Sequence, residues 1–300
     1  MGKIGFVFAG QGAQYPGMGR ELCDASPAAA RVFAEADALR AGTSDMCFSG
    51  DSETLMRTEN TQPCMFAVEL AAAAALNEAG IYADMTAGFS LGEIAALTYS
   101  GAVSFNTGFH LVSERGRLMG EAADGCHAVM AAVLKLSNDA VSELAGAYEN
   151  VYPVNYNCPG QVSVAGDADE MERFALDVKA AGGRYMPLKV GGGFHSPYMK
   201  GAAEKFAGVL ENIDIGEPKI PLYSNYTGKP YEGDARELLS RQICSPVYWE
   251  RIIRGMIASG ADTFVELGPG KTLSGIIKRI DANVKIYNVD TRDDLTRIER

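Results

Sequence analysis

The sequence is poor in histidine, with three residues in 300, and has a single tryptophan. It has no CxxC pair and no His/Cys cluster. Its six cysteines, Cys23, Cys47, Cys64, Cys126, Cys158 and Cys244, are scattered along the chain. Such spacing offers neither a disulfide framework nor a zinc site, and fits the reduced thiols of a cytoplasmic protein. Long apolar runs are also missing. The richest stretch, Pro63 to Leu76, is interrupted by Glu69 and is shorter than the roughly 18 apolar residues of a membrane span, so it reads as a buried helix. The start MGKIGFVFAGQG has too few apolar residues for a secretory signal, and Phe6 stands where a myristoylation signal needs Ser or Thr. Positive charge is in deficit, with 27 Lys and Arg against 38 Asp and Glu, a net charge of −11. That balance excludes nucleic acid or an anionic membrane as the main partner.

What is present is ordinary globular composition, 47% hydrophobic and 22% charged. Lys3 to Ala9 reads as a strand running into the Gly-rich loop GQGAQYPGMG. Helical patterns follow over Arg20 to Ala41 and Pro63 to Ala79. A short strand, Met85 to Phe89, then opens a helix near Ser90, and another helix covers Phe105 to Ala123. From residue 124 the order changes to strand, helix, two strands joined by NCPG, helix, strand (Arg184 to Val190). That β-α-β-β-α-β order is the ferredoxin-like pattern. After Pro197, helices again alternate with short apolar strands, including TFVEL before GPGKT. The expectation is an α/β protein. Residues 1–123 and 193–300 form a parallel-sheet core, and residues 124–192 an inserted ferredoxin-like α+β subdomain.

Gly88-Phe89-Ser90-Leu91-Gly92 matches G-x-S-x-G between an expected strand and helix, the setting of a nucleophile elbow. The plain alternative is a capping box, because Ser90 is followed three residues on by Glu93. In the helix from Phe105, Arg115 falls among Phe109, Leu111, Val112, Leu118 and Met119 on the apolar face. A guanidinium there needs an anion, either a core carboxylate or the carboxylate of a substrate. Of the histidines, His110 projects from the polar side of that helix and His127 begins a strand of the insert. His195 lies in the loop GGGFHSP, with Ser196 and Pro197 placed to start a helix. A loop histidine can take a proton from a serine hydroxyl or merely bond backbone. Two phosphate-loop look-alikes fail: Tyr15 occupies the third Gly position of a dinucleotide motif, and Val265 the first Gly of a Walker A motif.

Taken together, FAGQGAQYPGMG, GFSLGE, ERGRLM, NYNCPGQVSVAG, GGGFHSP and ELGPGKTL resemble, in order, the malonyl-CoA:acyl carrier protein transacylases of fatty acid and polyketide synthesis. The resemblance implies an α/β-hydrolase-like core with a ferredoxin-like insertion. It implies Ser90 as nucleophile, His195 as general base and the Gln242 backbone carbonyl as the group orienting it. The amides of Gln11 and Leu91 would form an oxyanion hole, and Arg115 would hold the malonyl carboxylate. Gln62 and Asn157 match positions near the acyl pocket, and Phe194 a ring that crowds out an α-methyl branch. One departure stands out: the family usually has His where this chain has Phe89.

The implied reaction is ping-pong transfer from malonyl-CoA, a substrate, to an acyl carrier protein, with no metal or redox cofactor. Rival readings are a serine thioesterase or esterase and a non-catalytic carrier-binding module. Oligomeric state is not encoded in any motif, and a monomer is the working expectation. Coenzyme A and carrier proteins are acidic, so a local basic patch has to overcome the negative net charge.

Overall fold

The computed structural model describes residues 2–298 apart from Lys189 and Gly191. Those two positions belong to the expected strand Arg184 to Val190 and to the GGGFHSP loop, and lie outside the described residues. Nine strands are present among the described residues: β1 (Lys3–Phe8), β2 (Met85–Gly88), β3 (Ala128–Leu134), β4 (Val151–Cys158), β5 (Gln161–Asp167), β6 (Arg184–Pro187), β7 (Leu222–Tyr223), β8 (Ala261–Leu267) and β9 (Lys285–Val289).

Five of them form a sheet ordered β7-β2-β1-β8-β9, in which every pairing is parallel. Its central strand β1 aligns Phe8 with Gly88 of β2 and with Leu267 of β8. The loops after β1, β2 and β8 therefore leave the sheet side by side, at the carboxyl edge where open α/β sheets place their sites. The other four strands form an antiparallel sheet ordered β4-β5-β3-β6. With helices Asn138–Ala145 and Ala168–Ala180 between the strands, this is the ferredoxin-like arrangement. β4 is tied to the segment leading into helix Trp249–Ala258: Tyr156 N–H donates to the Val247 carbonyl at 2.9 Å and Val247 N–H to the Val154 carbonyl at 2.9 Å.

The core is organised around helix Thr58–Glu78, which is buried along most of its length, so its hydrophobicity shows no single face. It starts five residues before the expected Pro63, and Pro63 lies inside it. A proline cannot donate to the carbonyl four residues back. That carbonyl, of Glu59, is taken instead by the Arg40 guanidinium at 3.1 Å, so the helix runs through. The expected single helix Arg20 to Ala41 is two, Arg20–Ala25 and Pro27–Leu39. Ser26 is extended between them and its hydroxyl caps the second helix by accepting from Ala29 N–H at 3.1 Å. Helices Thr43–Ser49 and Ser52–Met56 fall in a stretch with no clear apolar period.

Candidate active site

β2 ends at Gly88, and the chain must reverse into helix Gly92–Tyr99 within three residues. Gly88 has no room for a side chain: a methyl there would fall onto the Gly92 carbonyl. Gly92 in turn packs where a Cβ would meet the carbonyl oxygens of Phe8 and Ala9 at 2.5 Å. The turn forces Ser90 to φ +56°, a left-handed conformation that is costly for a residue with a side chain and marks an over-determined site. Asn225, just after β7, pins it. Its Oδ1 accepts from Ser90 N–H at 2.7 Å and its Nδ2–H donates to the Gly88 carbonyl at 2.6 Å.

The capping-box reading of Ser90 is not what forms. Helix Gly92–Tyr99 has no side-chain cap. Ser90 Oγ lies 2.7 Å from His195 Nε2 and accepts from Arg115 Nη2–H at 3.1 Å. Glu93 points into the core rather than back to the turn, bonded by Tyr231, Gln242 and Asn225.

His195 arrives from the loop after β6, also with positive φ (+61°). Its backbone N–H donates to the Ile243 carbonyl at 3.2 Å, and its Nδ1–H to the Gln242 carbonyl at 2.8 Å. That carbonyl is available because helix Ala235–Ile243 ends one residue later, where backbone acceptors lose their helical donors. A donor at Nδ1 leaves Nε2 as an acceptor facing the Ser90 hydroxyl. Burial, aided by the Arg115 charge and opposed by the bond to Gln242, lowers the imidazole pKa to about 3, so the ring is held neutral. Ser196 and Pro197 do start the next helical turn, with Ser196 Oγ accepting from Tyr198 N–H at 3.3 Å.

Arg115 is completely buried on helix Phe105–Asp124, on the face the periodicity indicated. Gly116 lets this helix approach Thr58–Glu78 closely, since a Cβ there would lie 3.0 Å from the Thr58 carbonyl. Arg115 Nη1–H donates to Gln62 Oε1 at 2.8 Å and Nη2–H to Gln242 Oε1 at 2.7 Å. Its Nε has no hydrogen-bond partner, and among the described residues no carboxylate pairs with it directly. The core salt bridge that the sequence left open does not form among the described residues. Burial brings the guanidinium pKa down to about 10, still fully charged at neutral pH. Glu93, across Gln242, is pushed up to about 7 by burial against the pull of its hydrogen-bond donors and of Arg115.

A cavity of about 100 Å³ opens on Ser90, lined among others by Gln11, Gln62, Phe89, Met119, Phe194 and His195. It adjoins a second of about 230 Å³, between the loop after β1 and the antiparallel sheet, and the two share Gln11, Phe89, Asn155 and Leu188. Asn157 lies in the second cavity rather than beside Ser90, with Nδ2–H donating to Ser163 Oγ at 3.3 Å. The amides of Gln11 and Leu91 are taken up by no hydrogen bond among the described residues. Phe89 packs edge-on to Trp249 at 5.3 Å and against Gly10, so the ring fills the wall where a polar side chain would sit.

Residues 5–288 match the family model of the acyl transferase domain. The chain belongs to the acyl transferase domain family. A malonyl CoA-acyl carrier protein transacylase of Bacillus subtilis is 41% identical over 297 residues, covering 96% of this chain and 94% of that protein. The crystal structure of a malonyl CoA-acyl carrier protein transacylase from Clostridium perfringens is similar with a TM-score of 0.95 and 38% identity, over 98% of this chain and 95% of that one. A malonyl-transacylase solved in complex with a type II PKS acyl-carrier protein is similar with a TM-score of 0.93 and 34% identity, over 98% and 97% of the two chains.

This acyl transferase domain joins Ser90, His195, Arg115, Gln242 and Gln62 in one hydrogen-bonded network, although they come from five separate segments of the sequence. Sequence reading missed Asn225, Tyr231 and the inward role of Glu93. For Glu93 the only signal was its place in GFSLGE, and that was absorbed by the capping alternative. Among the described residues no helix is long and apolar enough to cross a membrane.

Proposed function

We propose that this chain transfers a malonyl group from malonyl-CoA to the phosphopantetheine thiol of an acyl carrier protein, through a malonyl ester on Ser90. The observation that carries this reading is a buried guanidinium with no carboxylate partner among the described residues, 3.1 Å from the nucleophile hydroxyl. A positive charge so placed awaits an anion carried by the acyl group, and malonyl presents a carboxylate two bonds from its thioester carbonyl. The names of the relatives point to the same donor and acceptor.

In the first half-reaction His195 Nε2 takes the Ser90 proton as Oγ attacks the thioester carbonyl. The oxyanion is met by the unpaired amides of Gln11 and Leu91. Collapse expels the coenzyme A thiolate, which takes the proton from His195. In the second half the carrier thiol gives its proton to His195, its sulfur attacks the ester, and Ser90 recovers its hydroxyl. The Gln242 carbonyl steadies the imidazolium at Nδ1, a task that needs no acidic third residue. Phe194 and Gln62 shape the acyl end of the cavity on Ser90, and Asn157 lines the adjoining cavity. The steps call on no metal or redox cofactor. Residues 124–192 are taken as the inserted unit, and the enzyme as a cytoplasmic monomer, which size-exclusion chromatography with light scattering checks directly.

Incubation with malonyl-CoA, followed by proteolysis and mass spectrometry, is expected to show a malonyl adduct on the peptide containing Ser90. An unmodified Ser90 under conditions where the protein is folded ends the proposal.

A further inference from the structure

We propose that Glu93 is a positioning residue for the acyl-carboxylate clamp: it fixes which end of the Gln242 carboxamide faces Arg115. This rests on the malonyl-transfer reading above. Gln242 is buried, and its side chain touches three groups that leave it one orientation. Its Nε2–H donates to Glu93 Oε2 at 2.9 Å and to the Ser90 carbonyl at 2.7 Å, while its Oε1 accepts from Arg115 Nη2–H at 2.7 Å. Reversing the amide would set its oxygen against two acceptors and its NH₂ against a guanidinium that can only donate.

Glu93 is the carboxylate among the three groups that fix this orientation. It is fully buried and receives three donors: Tyr231 Oη–H at 2.7 Å, Gln242 Nε2–H at 2.9 Å and the Asn225 amide at 3.2 Å. Asn225 also holds the elbow, and the Gln242 backbone also holds His195. One buried carboxylate thus ties the clamp to the nucleophile through a single carboxamide. An apolar residue at 93 removes one of the three groups that favour the productive orientation and leaves the Ser90 carbonyl and Arg115 to hold it. The acceptor that Gln242 offers Arg115 Nη2 beside Ser90 Oγ is then less firmly held, and the guanidinium gains room to shift.

The test measures acylation of Ser90 by malonyl-CoA and by acetyl-CoA in wild type, Glu93→Met, Glu93→Gln and Tyr231→Phe. Only the first donor has a carboxylate for Arg115. Glu93→Met is expected to lower kcat/KM for malonyl-CoA about tenfold more than for acetyl-CoA, mainly through KM, because small misplacements of a binding group are costly. Glu93→Gln keeps an acceptor toward Gln242 and Asn225, with its NH₂ donating to Tyr231, and is expected to restore most of the malonyl preference. Tyr231→Phe removes one anchor of Glu93 and is expected to shift the donor ratio the same way by about twofold, within the worth of one hydrogen bond. An unchanged donor ratio in Glu93→Met overturns the inference, as does an unchanged ratio in Tyr231→Phe should Glu93→Met not fold. Those results would leave malonyl transfer standing. Failure of wild type to form the malonyl ester overturns the function and this inference together.

Discussion

Glu69 offers a sharp test of how this core handles a misplaced charge. It lies midway along the central helix Thr58–Glu78, is completely buried, and neither carboxyl oxygen has a hydrogen-bond partner among the described residues. It packs against Gly268 in the loop after β8, where a Cβ would sit 3.0 Å from Glu69 Cγ. With no cation or donor to favour the ionised form, burial alone raises its pKa well above the ordinary carboxylate value. The native state therefore keeps a proton that the unfolded chain releases above a pKa of about 4.3. A raised folded pKa means stability is greatest below the unfolded value and is lost as pH rises toward the folded one. The proton linkage of one group gives a slope of about 1.4 kcal/mol per pH unit while the buried acid stays protonated. Glu69→Gln keeps the shape and cannot titrate, so it escapes this loss. Urea denaturation of both proteins from about pH 5 upward is expected to show the variant gaining on wild type as pH rises, by no more than about 1.4 kcal/mol per pH unit. A difference that does not vary with pH, or a variant that falls behind as pH rises, would show Glu69 to be ionised and paired, and the reasoning wrong.

Further predictions concern the site. Arg115→Ala is expected to lower kcat/KM for malonyl-CoA by about 10²- to 10³-fold, the scale of a broken buried charge pair, and to affect acetyl-CoA far less; equal losses reject the clamp. His195 is expected to stay neutral down to about pH 5 in NMR titration, protonating only toward its lowered value of about 3, with His195→Ala assigning the signal among three histidines. An imidazole that charges near 6.5 would contradict the burial seen here. Asn225→Ala strands the Ser90 amide and the Gly88 carbonyl, and is expected to cost about 2 kcal/mol or more in urea denaturation along with most of the acylation rate. A stable, fully active variant would show that the elbow holds its strained turn unaided.

Much of this protein was set by local chemistry that the sequence displays. The alternation of short apolar strands with helices, and the β-α-β-β-α-β run in the middle, follow from side-chain periodicity and predict both sheets. Arg115 was legible as an anomaly because a charge on an apolar helical face violates the pattern around it, whatever its purpose. Ser90 and His195 were legible as candidates because glycines flank them where the backbone must turn sharply. Pairing decided the rest. Whether Ser90 capped a helix or met an imidazole depended on where a loop 105 residues away came to lie. Whether Arg115 had a core carboxylate depended on which groups the packing of two helices delivered to it, and these proved to be the amides Gln62 and Gln242. Glu93, Asn225 and Tyr231 carry no local signature: each is an ordinary polar residue until burial removes water and leaves only its neighbours to satisfy it. A sequence shows which groups a chain owns, whereas the burial and mutual orientation that turn an amide into a latch or hold a histidine neutral exist only once the sheets and helices have closed around them.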